Sequence, residues 1–276
     1  MTTTHHLLAC RPVHLAPWAW LALHAAALWP HGQWALRRLA DGSDDPLGVA
    51  AVVALLLWLA RAASRLRVQP QLGWLAASAA LTLLAAAAWG RAPPLAAALL
   101  GMLALAVHLV AWLPSGVARA PLVGLAVLAL PVLASLQFYL GYPLRVFTAA
   151  FSAWVLQAGG MAAERSGAAM TVNGQLVIVD APCSGIQMAW LAYFAACATA
   201  AFVGLRGSTF LRRLPLVGLL ALTGNVLRNS LLVGLEARPD GLDSAWHEAI
   251  GMVLLVIVVG LTVRLMSPLA ARRVQP

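Results

Sequence analysis

The sequence predicts an all-α, polytopic membrane protein with about eight transmembrane helices, and three observations carry that expectation. The 276 residues are 62% hydrophobic and 10% charged, with a mean hydropathy of +0.85, well outside the range of soluble globular chains. The apolar residues gather into long runs broken by short turns rich in Gly, Pro and Arg. The basic residues are all arginines, and most of them flank those runs. A net charge of +9 would suggest nucleic acid in a soluble chain; distributed this way it points to lipid headgroups and topology, and no nucleic-acid binding is expected.

In chain order, residues 1–14 form a short polar tail, 15–268 one membrane domain, and 269–276 a basic tail ending near Arg272 and Arg273. The run 15–36 is long, Trp-rich and lacks a small-residue exit of the A-x-A type, so it is expected to be retained as a first span rather than removed as a signal peptide. The acidic stretch Asp41-Gly42-Ser43-Asp44-Asp45 then reads as a solvated turn. A second, short span at 47–60 stops at Arg61, Arg65 and Arg67. Spans at 72–89 and 95–113 are joined by Gly90-Arg91-Ala92-Pro93-Pro94, and Pro114-Ser115-Gly116 closes the second of them. A fifth, at 122–140, ends among Tyr139, Tyr142 and Pro143, an aromatic marker of the interface.

The stretch 144–160 differs. Leu144, Phe147, Phe151 and Trp154 or Val155 recur at helical spacing, opposed by Arg145, Thr148, Ser152 and Gln157, which predicts an amphipathic helix lying flat in the interface. Asn173-Gly174 between the β-prone arms 170–172 and 175–179 predicts a short β-hairpin. Open strand edges are not tolerated in lipid, so the hairpin belongs to an aqueous face. Three more spans follow at 184–205, 214–235 and 248–265.

With both termini cytoplasmic, eleven of the 18 arginines fall on the inner side and seven outside. The nine acidic residues, from Asp41 to Glu248, all fall on the outer side. This topology places the hairpin and Cys183 of a multi-pass membrane protein on the extracytoplasmic face.

Cys183 is the one plausible nucleophile. It sits where Val179-Asp180-Ala181-Pro182-Cys183-Ser184-Gly185 leads from a β-like run into an apolar helix. A thiol in the first turn of a helix faces unpaired N–H groups and the positive end of the dipole, which favours thiolate. The other reading of Cys183 is a small, inert, buried cysteine at a helix start. Cys10, Cys183 and Cys197 show no C-x-x-C and no metal-ligand spacing with histidine, so neither a zinc site nor a dithiol relay is expected. Cys183 and Cys197 are separated by roughly 21 Å along one helix, too far to bridge.

Two further motifs face the same side. Asn225, Arg228 and Asn229 share a helical face in the seventh span. A mid-helix arginine costs about 2.5 to 3.5 kcal/mol on insertion scales. Snorkelling to the interface relieves such a charge but leaves the two asparagines unexplained, so the face reads as a polar pocket inside the bundle. The eighth span opens at His247-Glu248, with Gly251 one turn below to admit a neighbouring helix. A thiol, a permanent cation and an imidazole at one depth are the equipment of acyl transfer. The imidazole moves the proton, and the guanidinium holds the oxyanion without losing its charge. Asn225 and Asn229 are expected to orient the guanidinium or donate further hydrogen bonds, Ser184 is a further supporting candidate, and either Asp180 or Glu248 can steady the imidazole.

Cys-Ser-Gly-Ile at 183–186, Asn-Val-Leu-Arg-Asn at 225–229 and His-Glu with Gly251, in this order on consecutive late spans, resemble the exosortase/archaeosortase family. The likeness covers the architecture of 15–268, while its specific motifs lie between 180 and 251. It implies that Cys183, Arg228 and His247 are catalytic. It also implies cleavage of a C-terminal sorting signal on exported proteins: a short Pro-Glu-Pro-like motif, a membrane span and a basic tail, in bacteria often linked to exopolysaccharide. Two other functions fit a polytopic chain with an embedded arginine. One is an anion transporter, in which Arg228 and the asparagines line a path and Cys183 is dispensable. The other is a non-catalytic component of an export or polysaccharide system, indifferent to all three residues.

Overall fold

The computed structural model describes residues 16–237 and 244–267; the predicted tails 1–14 and 269–276 lie outside the described residues. Ten α-helices carry the fold: α1 (Pro17–Ala27), α2 (Trp29–Ala40), α3 (Gly48–Ala62), α4 (Leu72–Ala88), α5 (Pro94–Trp112), α6 (Arg119–Leu128), α7 (Leu133–Ala158), α8 (Ile186–Val203), α9 (Gly207–Glu236) and α10 (Ser244–Met266). Strands β1 (Ala163–Ser166), β2 (Ala169–Val172) and β3 (Gln175–Ile178) lie between α7 and α8.

Eight continuous spans are not what forms. Among the described residues, five helical stretches are long and apolar enough to cross a membrane: Gly48–Arg65, Pro94–Trp112, Ile186–Val203, Gly207–Glu236 and Trp246–Met266. Counting a bent pair, α6 with α7, makes six, and α4 is an apolar helix of 17 residues. The expected first span is two short helices that meet at Leu28, because Pro30 starts a new helix in its first turn. The expected fifth span breaks between Leu128 and Leu133, where the chain turns by 91°. Pro131 explains the break: its ring has no N–H to continue the ladder and disfavours helical geometry at Leu130.

That bend also removes the separate interfacial helix. Residues 144–158 are the second half of α7, and their amphipathicity runs inside out. Thr148 and Ser152 are 1% and 0% exposed, whereas Trp154 is 62% exposed and Phe147 and Phe151 also face outward. In a hydrocarbon solvent the polar stripe is the one that must find partners, so it turns inward.

The core is organised around α8, which packs on α3, α6, α7, α9 and α10. Trp190, Phe210, Leu113, Leu125 and Val217 are among the residues buried in it. Small residues set its tightest approaches: a Cβ on Gly124 of α6 would overlap the Cys197 sulfur of α8. At one end of the bundle, Trp58 Nε1 donates to the Ala201 carbonyl at 3.1 Å.

At the other end sits a smaller second core. Asn173-Gly174 joins β2 to β3 with both residues at positive φ, 50° and 84°, the geometry of a type I′ turn. The sheet has a third strand, β1, paired antiparallel to β2 with Ala163 opposite Val172, so the order is β1-β2-β3. Met170 and Val172 alternate inward onto Ala149, Ala153 and Leu156 of α7 and Val233 of α9. Thus α9, about 45 Å long at 1.5 Å per residue, outruns a hydrocarbon core of about 30 Å and carries this cap on its last turns.

Candidate active site

Cys183 lies not in the first turn of α8 but in a 3₁₀ turn, Ala181–Ser184, that precedes it. Gly185 separates the two at φ +85°, a conformation that only glycine adopts cheaply, and a Cβ there would come within 2.8 Å of Asn225 Cγ. The dipole argument for a thiolate therefore gives way to a local one. Burial pushes the Cys183 thiol up from its ordinary range; Arg228 opposes that shift, and Asp180 and Glu236 add to it.

The turn is clamped from two helices, α7 and α9. Gln137 of α7 accepts a hydrogen bond from Ser184 Oγ at 2.9 Å and donates to the Ala181 carbonyl at 3.2 Å, spanning the turn from end to end. Asn225 of α9 donates to the Cys183 carbonyl at 2.8 Å and to Thr148 Oγ1 at 3.0 Å. Just beyond, Gln187 of α8 donates to Asp45 Oδ2 at 2.9 Å. The acidic stretch 41–45 is thus not a free solvated turn. Asp44 is buried, pairs with Arg38 at 3.6 Å, and accepts the backbone N–H groups of Asp45 at 3.0 Å and of Ala134, in the first turn of α7, at 3.2 Å.

The two asparagines do not steer the guanidinium. Asn229 donates to Ser152 Oγ at 3.0 Å, so Asn225–Thr148 and Asn229–Ser152 form two rungs, one helical turn apart, that bind α9 to α7. Arg228 turns instead toward α10. A Cβ on Gly251 would stand 3.0 Å from Arg228 Nε, the close approach that a glycine one turn below His247 permits. Arg228 Nε is buried and has no hydrogen-bond partner among the described residues.

Arg228 lines a cavity of about 320 Å³ with Pro182, Gly185, Asn225, Glu248 and Gly251, so the cavity floor abuts the turn that carries Cys183. Glu248 shares this cavity, although the one ion pair among the described residues is Arg38–Asp44. Asp180 is exposed at the mouth of the turn. His247, partly buried, stands in the first turn of α10, about 6 Å above Gly251 by helical rise. Gln137, Thr148, Ser152 and Asp45 are the contributors that the sequence did not announce; of these, only the Thr148/Ser152 stripe left a periodic signal. No group of three or more His, Cys, Asp or Glu with metal-binding geometry occurs among the described residues.

No curated protein and no solved structure matches the chain significantly. A family model described as transmembrane exosortase matches residues 40–264, most of the sequence and all three motif-bearing helices. With its multi-pass helical architecture and the Cys183, Arg228 and His247 segments inside that match, the chain belongs to the transmembrane exosortase family.

Proposed function

We propose that the protein is a membrane-embedded cysteine transpeptidase or protease. Its substrates are exported proteins whose C-terminus carries a short motif, an apolar span and a basic tail. The observation that carries this reading is a half-buried guanidinium, whose buried Nε has no hydrogen-bond partner among the described residues, in a cavity against the turn of a half-buried thiol. A charge held without a partner at a cost in desolvation is available to charge that develops during a reaction.

In the proposed mechanism, His247 takes the Cys183 proton as the sulfur attacks the scissile carbonyl. The carbonyl π electrons move onto oxygen, and Arg228 holds that oxyanion. Collapse of the tetrahedral intermediate expels the C-terminal fragment as an amine, which His247 protonates, and leaves a thioester on Cys183. Water or an acceptor amine then resolves the thioester. Asn225, Ser184 and Gln137 position the nucleophile by fixing its turn, and Asp180 or Glu248 adjusts the field around the imidazole. The protein resides in the inner membrane with both termini cytoplasmic and Cys183 on the periplasmic side; lipids surround its apolar helices. The chemistry calls for no cofactor.

Co-expression with such an exported protein provides the test. Wild type shortens it, and Cys183→Ser, Arg228→Ala and His247→Ala leave it whole. Unchanged processing by Cys183→Ser removes the proposal. The same half-buried guanidinium also suits an anion path; anion uptake that survives Cys183→Ala and is lost in Arg228→Ala, without any processing, would establish that reading instead.

A further inference from the structure

We infer that the open edge of β3 is a docking strand for the substrate. In this picture the extended segment of the exported protein, just before its anchor helix, adds to the sheet as a fourth strand that leads its scissile bond to Cys183. The inference rests on the proposed protease reading and names its recognition element.

β3 is an edge strand, paired with β2 alone. Its two-residue turn fixes which backbone groups are spent. Val172 and Gln175 flank the turn as a hydrogen-bonded pair, so Met170–Val177 is hydrogen-bonded again, while Thr171–Leu176 and Ala169–Ile178 are not. The next step fits this alternation, with Val179 N–H donating to the Ala168 carbonyl at 3.0 Å. The N–H and C=O groups of Leu176 and Ile178 therefore point to the open side, and neither residue has a backbone partner there among the described residues.

Natural edges are usually blunted by a charge, a proline or a bulge, and Gln175-Leu176-Val177-Ile178 has none of these. The side chains on its exposed face are apolar instead: Leu176 is 70% exposed and Ile178 60%, and alternate side chains of an added strand would pack beside them.

The path to the nucleophile is short. From Ile178 to Cys183 is five residues, at most about 17 Å of chain. Val179 is buried in the small core, which fixes the direction in which β3 enters the 3₁₀ turn. A strand laid along β3 thus places its backbone within about five residues of the thiol, in the fixed extended form that an attacking sulfur needs. Main-chain pairing also suits an enzyme with several substrates, because it reads backbone first and side chains at alternate positions second.

The test uses full-length protein in membranes with a co-expressed substrate. In a Cys183→Ala background, Leu176→Cys or Ile178→Cys is oxidised against single cysteines walked through the ten substrate residues before the anchor. Strand addition predicts crosslinks at every second position, with the pattern displaced by two residues between the two variants. Crosslinks indifferent to position, or absent while wild type cleaves the same substrate, overturn the inference. In the Cys183-intact protein, Leu176→Pro and Ile178→Pro each remove an outward N–H that β2 does not use and slow cleavage about fivefold, the worth of one main-chain hydrogen bond. Leu176→Thr, which keeps that N–H but gives up the apolar side chain, falls between wild type and the proline variants; equal rates in all three contradict strand addition. Crosslinking is read in a variant that does no chemistry. An alternating pattern with no cleavage by wild type therefore removes the protease reading and leaves the docking edge standing.

Discussion

Burial and charge pull on the Cys183 thiol in opposite senses. Burial, Asp180 and Glu236 favour the neutral form, and Arg228 favours thiolate. Alkylation of Cys183 is therefore expected to rise with pH through a midpoint above that of an ordinary thiol. Because the charged form is the anion, Arg228→Ala moves that midpoint further up and Asp180→Asn moves it down. A pH series of iodoacetamide labelling reads both shifts, and an unmoved or lowered midpoint in Arg228→Ala would contradict the assignment. Gly251 offers a sharper residue-level probe. A methyl there lands 3.0 Å from Arg228 Nε, so Gly251→Ala displaces the guanidinium, and processing falls by about tenfold or more at unchanged protein levels. Gly260→Ala, on the same helix with nothing within 4 Å, is the neutral control. Cys183, Arg228 and Gly251 were legible in the sequence because a lone thiol, an embedded cation and a small residue each carry a cost or a chemistry that demands explanation. Gly185 was harder to read: its left-handed φ sets Cys183 off the helix, and a sequence marks only that glycine is present, not which φ it takes.

Among the elements, the α7–α9 pairing matters most to the site, and it reverses a soluble-protein habit of reading. Thr148 and Ser152 looked like a wetted face and are the buried one, bonded to Asn225 and Asn229. Such interhelical bonds in membranes average about 0.6 kcal/mol in double-mutant cycles, and the Asn229–Ser152 cycle, measured by reversible unfolding in mixed detergent micelles, is expected near that value. The two rungs differ in function. Asn225 also holds the Cys183 carbonyl, so Asn225→Ala lowers processing far more than Asn229→Ala does at comparable loss of stability. Equal effects on processing would demote Asn225 to packing. The hairpin was readable from Asn173-Gly174, whereas β1, Ala163-Glu164-Arg165-Ser166, has no β-branched residue and forms because Ala163 completes the small core. Pro131 and Pro30 were visible as breakers, but hydropathy summed across them reported continuous spans.

At the scale of the whole molecule, the structure gathers the 41–45 loop, the Cys183 turn and the three-stranded sheet at one end of the bundle. Arg67 and Gln71, bonded to the end of α5, mark the other end. Single cysteines at Asp41 and Asn173 are therefore expected to react with an impermeant maleimide from the same side of intact cells, and one at Ser64 from the opposite side. Labelling of Asp41 and Asn173 from different sides would break the topology. Eight continuous spans were expected and five or six stretches are long and apolar enough to cross, because apolar length alone does not register a broken helix; the polar face of α9 was legible, but its partners Thr148 and Ser152 on α7 were not.

The most direct measurement is a search for the covalent intermediate. Purified protein is mixed with a substrate peptide, quenched in acid and analysed by mass spectrometry. The account predicts an adduct of the N-terminal substrate fragment on Cys183, cleared by hydroxylamine, strongly reduced in Arg228→Ala and absent in Cys183→Ser. Cleavage of the peptide by Cys183→Ala, or an adduct on any other residue, would contradict it.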